Sequence, residues 1–201
     1  MKESPIIFSG EMVKAILEGS KTQTRRIIKH KDGVDDAYRR QLSLQDTGRE
    51  KDWIIETKLG ETLERDYPYG TQGDRLWVRE TIDNGRDPKN PQVVTPTYRA
   101  DGSKVKMELA WYQGISKGKT TSSIYMPRWA SRITLEIESI RIERLQEITE
   151  EDAIAEGIFV ESPSVRHIDF FEYLWDSINF SRGYGWQTNP WVWRIQFRKI
   201  A

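Results

Sequence analysis

The clearest pattern in the chain is the alternation of apolar and polar residues in "RITLEIESIRIERL", Arg132–Leu145. Apolar side chains at every second position lie on one face of a strand, so this segment is predicted to be a β-strand. Shorter runs predict further strands at Ile6–Phe8, Arg75–Ile82 and Thr97–Ala100, and a last one in "WVWRIQFRKI".

Three segments show helical spacing instead. In "GEMVKAILEG" the apolar residues recur three and four positions apart, with Ser9 as the N-cap and Gly19 in the C′ position. In "ITEEDAIAEGI", Thr149 is the predicted N-cap, and Gly157 ends the helix. A longer helix is predicted over Val165–Asn179, with its buried face formed by Ile168, Phe171, Leu174, Trp175 and Ile178.

Several strands, few helices and a strand at each end predict an α+β protein built on a small mixed β-barrel. The length of 201 residues suits one domain, 1–201, with polar loop insertions at about 31–69 and 83–119. Within the second insertion, Asp83–Pro96 is rich in Gly, Pro, Asn and Asp and is predicted to be a loop.

Composition excludes several kinds of chemistry. The chain has no Cys and only 2 His, which rules out disulfides and thiolate sites and disfavours a His-rich metal site. No metal and no cofactor is therefore predicted. The sequence contains no apolar run of about 18 residues and starts without an apolar leader, so a cytoplasmic protein without membrane contact is expected.

Charge is unevenly distributed along the chain. Its formal net charge is +0, yet "EGSKTQTRRIIKHK", Glu18–Lys31, has five Lys and Arg residues and no acid after its first residue. A solvated basic turn would explain this segment, and so would an anion-binding site. Zero net charge disfavours a broad nucleic-acid coat and is compatible with a small cleft that takes one nucleotide.

Part of this segment, "GSKTQTRR", resembles the GxKxxxxR signature of the ASCH family, relatives of the PUA RNA-binding fold. Gly19, Lys21 and Arg26 fall on the named positions. "GDRLWVRET" and "MPRWASRITLEIESIRIERLQEITEEDAIAEGI" also resemble the longer, prophage-associated branch of that family. The resemblance covers most of the chain outside Lys31–Tyr69 and Asp83–Lys119.

The resemblance implies a PUA-like β-barrel with a cleft for a nucleic acid or a modified nucleoside. A small bacterial member of the family is an amidohydrolase that removes the acetyl group of N4-acetylcytidine. Its active residues, carried over one by one, fall on Lys21, Thr24 and Glu156. Further contacts to substrate or nucleic acid are predicted for Gly19, Arg25, Arg26, Phe8, Trp77, Arg79, Glu80, Arg128 and Trp129.

The chemistry of this trio follows general rules. Thr24 is a poor nucleophile until a base removes its proton. A desolvated Lys21 could act as that base, or Glu156 could shuttle the proton, but a close carboxylate would keep Lys21 protonated. The sequence leaves the choice of base open. Arg26 has a planar guanidinium that suits a phosphate or the carbonyl oxygen of a base.

Three functions therefore remain open. The first is amide hydrolysis on a modified pyrimidine nucleoside, the second is a binding module for RNA or DNA without chemistry, and the third is RNA cleavage. A purely structural role is the alternative for several of these residues. Lys21 and Arg26 could be a solvated surface pair, and Trp77 and Trp129 could be core residues. The catalytic hypothesis requires Lys21, Thr24 and Glu156 to converge on one concave site.

Overall fold

The computed structural model describes residues 1–28, 43–46, 52–56, 62–66, 69–86, 89, 93–105, 107–108, 119–162 and 164–201. Within these residues the chain forms three α-helices, several short 3-10 helices and twelve strands in three sheets. The α+β class predicted from the sequence is confirmed.

The central sheet has five strands in the order β1-β6-β11-β12-β2. β1 and β6 pair in parallel, and the other neighbours are antiparallel. The alternating segment forms the long strand β11, which confirms that prediction. The strand bounds are β1 Glu3–Ile7, β2 Gln23–Ile27, β6 Arg75–Arg79, β11 Thr134–Arg144 and β12 Trp191–Lys199.

Helix α1, Gly10–Glu18, packs its apolar residues against the central sheet, in a core that includes Ile6, Leu135 and Ile195. Both predicted caps are present. The Ser9 hydroxyl accepts a hydrogen bond from the Met12 N–H at 3.4 Å. Gly19 has φ +82°, a left-handed conformation that glycine adopts without strain. The chain therefore turns sharply after α1 and enters edge strand β2.

Helices α2, Glu150–Ala155, and α3, His167–Asn179, form a second core with Leu145, which follows β11, and Val192 at the start of β12. The predicted capping of α2 by Thr149 is confirmed. Helix α3 starts two residues later than predicted. Phe171 and Trp175 are buried as expected, but Ile178 is 47% exposed, because the cleft described below opens beside it.

The predicted loop insertions contain strands. Strands β3–β5 lie in the first insertion and form a three-stranded sheet, and β7–β10 form a four-stranded sheet in the order β10-β7-β8-β9. The loop prediction for Asp83–Pro96 was wrong at both ends, where residues 83–86 and 93–96 belong to strands, while 87, 88 and 90–92 lie outside the described residues. One reason is that the polar Asn84 is buried and donates to the Lys119 carbonyl and the Thr121 hydroxyl. The bounds are β3 Ser43–Asp46, β4 Asp52–Glu56, β5 Thr62–Asp66, β7 Ile82–Arg86, β8 Val93–Tyr98, β9 Met107–Glu108 and β10 Thr120–Thr121.

The central sheet has two free edges, β1 and β2, and no strand pairing within the described residues joins them. A side chain nevertheless crosses between them: Arg26 of β2 donates from Nη2 to the Ile7 carbonyl of β1 at 2.6 Å. The two edges therefore approach to within the reach of one arginine, and the space between them is where the candidate site lies.

Gly157 allows the end of α2 to lie against α1 and the segment that follows it. Its φ is +83°, and a Cβ atom here would lie 2.9 Å from the Ala15 Cβ and 3.0 Å from the Lys21 Cβ. Both distances are below ordinary contact, so only glycine fits without a shift of the backbone.

We expect Gly157→Ala to lower the free energy of unfolding more than Gly183→Ala. Gly183 has a similar φ of +80°, but a Cβ atom at that position would have no neighbouring atom within 4 Å. The control Gly183→Ala should lower the free energy of unfolding by about 1 kcal/mol, because alanine is strained in the left-handed conformation. Gly157→Ala should lower it by about 1–3 kcal/mol more, because the added Cβ overpacks the contact. Urea unfolding measures both; equal losses would show that the close approach of α2 does not matter.

Candidate functional site

A cleft of about 340 Å³ lies between the two edges of the central sheet. Strand β1 lines one side, strand β2 the other, and the face of α3 that includes Leu174, Trp175 and Ile178 closes one end. Thr24, Arg26 and Glu156, all predicted from the sequence, are among the lining residues. The cleft combines apolar walls with a few polar groups, as small-molecule sites do.

Lys21 lies behind the wall of this cleft. Its side chain has no exposed surface, and its Nζ donates to the Gln23 carbonyl at 2.8 Å, the Glu156 carbonyl at 2.7 Å and Glu156 Oε2 at 2.8 Å. Burial lowers the pKa of Lys21, and the Glu156 carboxylate opposes this change. Three acceptors at these distances match the three N–H groups of an ammonium ion.

Arg25 is the centre of a buried ion-pair network. Its guanidinium, which has no exposed surface, lies 2.6 Å from Glu143 Oε1, 2.9 Å from Asp152 Oδ2 and 3.2 Å from Glu156 Oε1. These carboxylates come from β11, α2 and the residue that ends α2. One arginine therefore connects an edge strand, the longest strand and a helix.

Arg194 of β12 completes the network by donating to Asp152 Oδ1 at 2.6 Å and to Gln23 Oε1 at 3.0 Å. Burial alone would raise the pKa of Asp152, but Arg25, Gln23 and Arg194 together hold it below its usual value. For Glu143, burial outweighs Arg25 and raises the pKa. Formal charges balance, with three cations and three carboxylates: Lys21, Arg25, Arg194, Glu143, Asp152 and Glu156.

The solvated-turn interpretation is therefore wrong for Lys21 and Arg25, whose side chains are buried and paired. The acids that the basic segment lacks in sequence are supplied by β11 and α2. Lys29 and Lys31, at the end of the segment, lie outside the described residues.

Thr24 and Arg26 project from the opposite face of β2 to Gln23 and Arg25, because side chains alternate along a strand. Thr24 is 3% exposed and lines the cleft. In the described part of the chain, no group forms a hydrogen bond with its hydroxyl. The Arg26 Cζ lies 5.1 Å from the centre of the Phe8 ring, which is also 5.6 Å from the Lys21 Nζ.

Of the other residues predicted from the sequence, Arg25 and Arg79 line the cleft. Phe8 is buried in the core behind the cleft, and Gly19 caps α1. The remaining four predicted residues also lie outside the cleft lining: Trp77, Glu80, Arg128 and Trp129.

Structural contacts account for those four residues. Trp77 is 8% exposed, with the Arg79 and Arg128 guanidinium carbons 4.7 Å and 5.9 Å from the centre of its ring. Arg128 pairs with Glu3, and Trp129 packs against the core beneath β7 and β8. The remaining residue, Glu80, is buried and binds Arg132 through both carboxylate oxygens.

Sequence reasoning missed four residues of the site. Glu143 and Arg194 occupy polar positions on predicted strands, but alternation alone does not show which polar side chain meets a charge. Asp152 lies three residues after the predicted N-cap Thr149, a position that suggests only a role in capping. Arg182, which lines the cleft after α3, belongs to no periodic pattern.

Comparisons of the chain with protein-family models, curated proteins and solved structures found no match. None of the helices in the described ranges is both long and apolar enough to span a membrane. The same ranges contain no group of three His, Cys, Asp or Glu residues arranged to hold a metal ion. The function must therefore be argued from the cleft itself.

We expect Arg25→Met to lower the free energy of unfolding by about 3–5 kcal/mol at pH 7, because it leaves the partly buried Glu143 carboxylate without its ion-pair partner and removes one partner each from Asp152 and Glu156. Without Arg25, burial raises the pKa of Glu143 further above its unfolded value, so stability is lost as the pH rises through that raised pKa. The deficit relative to wild type should therefore shrink between pH 7 and pH 5.

Urea unfolding at both pH values measures this deficit. Arg198→Met is the matched control, since Arg198 is 60% exposed and pairs with Glu136 on the surface. Arg198→Met should lower the free energy of unfolding by less than about 1 kcal/mol at either pH. A deficit in Arg25→Met that is the same at pH 7 and pH 5 would contradict the network.

Proposed function

We propose that the chain is an ASCH-type, PUA-like protein whose cleft binds a modified pyrimidine nucleoside and hydrolyses its acyl amide. One observation carries this proposal. Lys21 and Thr24 lie three residues apart, and Glu156 is 135 residues away from Lys21 in sequence, yet the Lys21 Nζ lies 2.8 Å from Glu156 Oε2, and Thr24 and Glu156 line the same cleft. Thr24 and Glu156 thus share the cleft, and Lys21 pairs with Glu156 from behind its wall, an arrangement that supports the proposal.

The shape of the site also supports the proposal. A cleft of about 340 Å³ is at the small end of the range for ligand pockets and suits one nucleoside. Tyr69 and Trp175 provide aromatic surface for a base, and Arg26 can donate to its carbonyl oxygen. The approach of β1 and β2 through Arg26 supports a PUA-like barrel whose open side is the cleft.

The arrangement favours Glu156 as the base. All three N–H groups of Lys21 are already donated, so Lys21 has no lone pair to accept a proton. In the proposed reaction, the Thr24 oxygen attacks the acyl carbon while Glu156 takes the hydroxyl proton and passes it to the leaving exocyclic amine. The amide C–N bond breaks, and water then cleaves the Thr24 ester to release the acid and restore the hydroxyl. Lys21 holds Glu156 in position.

A binding module without catalysis is the second candidate, and one observation favours it. Lys21 is fully buried within a charge-balanced network, as expected of a residue that holds β2 against α2. In that case the cleft would bind a base without transforming it, and Thr24 would only line the wall.

Incubation of the purified protein with N4-acetylcytidine, followed by chromatographic measurement of acetate, tests the hydrolase. We expect turnover in wild type and a loss of about 10²–10⁴-fold in Glu156→Gln, which cannot take the proton but can still accept a hydrogen bond from Lys21. Thr24→Val should abolish turnover, because valine keeps the β-branched shape without the hydroxyl.

Thr22→Val is the matched control, since Thr22 is exposed and lies two residues from Thr24. Its turnover should equal that of wild type. Folded wild-type protein that releases no acetate would favour the binding module, and a Thr24→Val variant with full activity would exclude Thr24 as the nucleophile.

A further inference from the structure

Two guanidinium groups of the cleft differ from those of the buried network. Arg79, at the end of β6, and Arg182, which follows α3, both line the cleft, yet neither forms an ion pair with any carboxylate of the described residues. Arg25 and Arg194, by contrast, are neutralised by Glu143, Asp152 and Glu156. The charge that remains at the cleft is therefore positive.

Arg79 is held in place and still has donors available. Its Nη1 donates to the Ile124 carbonyl at 3.1 Å, and its Cζ lies 4.7 Å from the centre of the Trp77 ring. Its Nε is buried without a hydrogen-bond partner in the described part of the chain. A buried donor without a partner is costly, and a ligand acceptor or water would remove that cost.

Arg182 is less constrained. It is exposed, and its Nη1 lies 3.4 Å from Asn179 Oδ1, at the long end of hydrogen-bond distances. A guanidinium has five N–H donors, so most of those on Arg182 are available to a ligand. Arg182 approaches the cleft from the α3 side, and Arg79 from the side of β1 and β6.

We propose that Arg79 and Arg182 bind a phosphate group of the ligand, so that the cleft takes a pyrimidine nucleoside monophosphate rather than a neutral nucleoside. The pyrimidine base rests on the proposed function, whereas the preference for an anion rests on these two arginines. Guanidinium groups bind phosphate through strong, charge-assisted hydrogen bonds. The charge-balanced network, of which Arg25 and Glu156 line the cleft, adds no net charge to oppose them.

A mononucleotide fits the surroundings of the cleft better than a strand. Helix α3, which forms one end of the cleft, contains three acidic residues and no Lys or Arg between His167 and Asn179. A phosphodiester chain that continued along its outer face would meet this negative charge. The volume of about 340 Å³ also suits a single nucleotide.

Calorimetric titration with cytidine and with cytidine 5′-monophosphate, at one ionic strength, tests the inference without any chemical step. We expect wild type to bind the monophosphate about 10–100-fold more tightly, which corresponds to the value of one or two charge-assisted hydrogen bonds. Arg182→Gln should bring this ratio close to one. Arg79→Gln should also reduce it.

Arg166→Gln is the matched control, because it removes the same charge at the other end of α3, where Arg166 pairs with Asp169 outside the cleft. It should keep the wild-type ratio. Equal affinity for the two ligands in wild type, or an unchanged ratio in Arg182→Gln, would overturn the inference. Tighter binding of a short single-stranded oligocytidylate than of the monophosphate would overturn the restriction to a mononucleotide.

These results separate the two proposals. Acetate release without any preference for the monophosphate would leave the hydrolase intact and remove the phosphate site. A preference that depends on Arg182, in a protein that releases no acetate, would support the phosphate site and remove the hydrolase.

Discussion

The buried pairing of Arg25 with Glu143, Asp152 and Glu156 determines how the central sheet meets helix α2. Among the described strands, edge strand β2 has only β12 as a sheet neighbour, so within these residues the sheet hydrogen bonds support one side of β2. The guanidinium fixes it to β11 and to the end of α2. Such pairs seldom add much net stability, because removing the charges from water is costly. They do specify one arrangement of the charged groups, since any other would leave a buried charge without its partner.

The same arrangement keeps the paired charges of the network apart from the arginines that lack a carboxylate partner among the described residues. Cations and carboxylates cancel on the side of β2 that faces α2. The positive charge of Arg79 and Arg182 remains at the cleft, on a chain whose formal net charge is +0. A protein can thus attract an anion locally without the strongly basic surface that would bind nucleic acid indiscriminately. Net charge alone says little about such a site, because the position of each pair matters more than the total.

The sequence predicted those parts of the fold that depend on local physics. The caps Ser9 and Gly19, the alternation in β11 and the start of α2 at Thr149 all follow from interactions within a few residues. The prediction failed where a distant partner decides. Asn84 belongs to a strand although its neighbours favour a loop, because the Lys119 carbonyl and the Thr121 hydroxyl accept hydrogen bonds from its side-chain amide. Likewise, no pattern in the basic segment shows that Glu143 will meet Arg25, 118 residues away in sequence.

Lys21 illustrates the same limit for chemistry. From the sequence, it could be a base, an anion ligand or a solvated charge, and residue type cannot distinguish these roles. Three acceptors around Nζ remove the first two, because neither a lone pair nor a free N–H remains. What is left is a positioning role: the ammonium ion fixes the carboxylate of Glu156, which itself faces the cleft. In the proposed reaction, Glu156 and Thr24 therefore act on the substrate, and the lysine acts only through the glutamate.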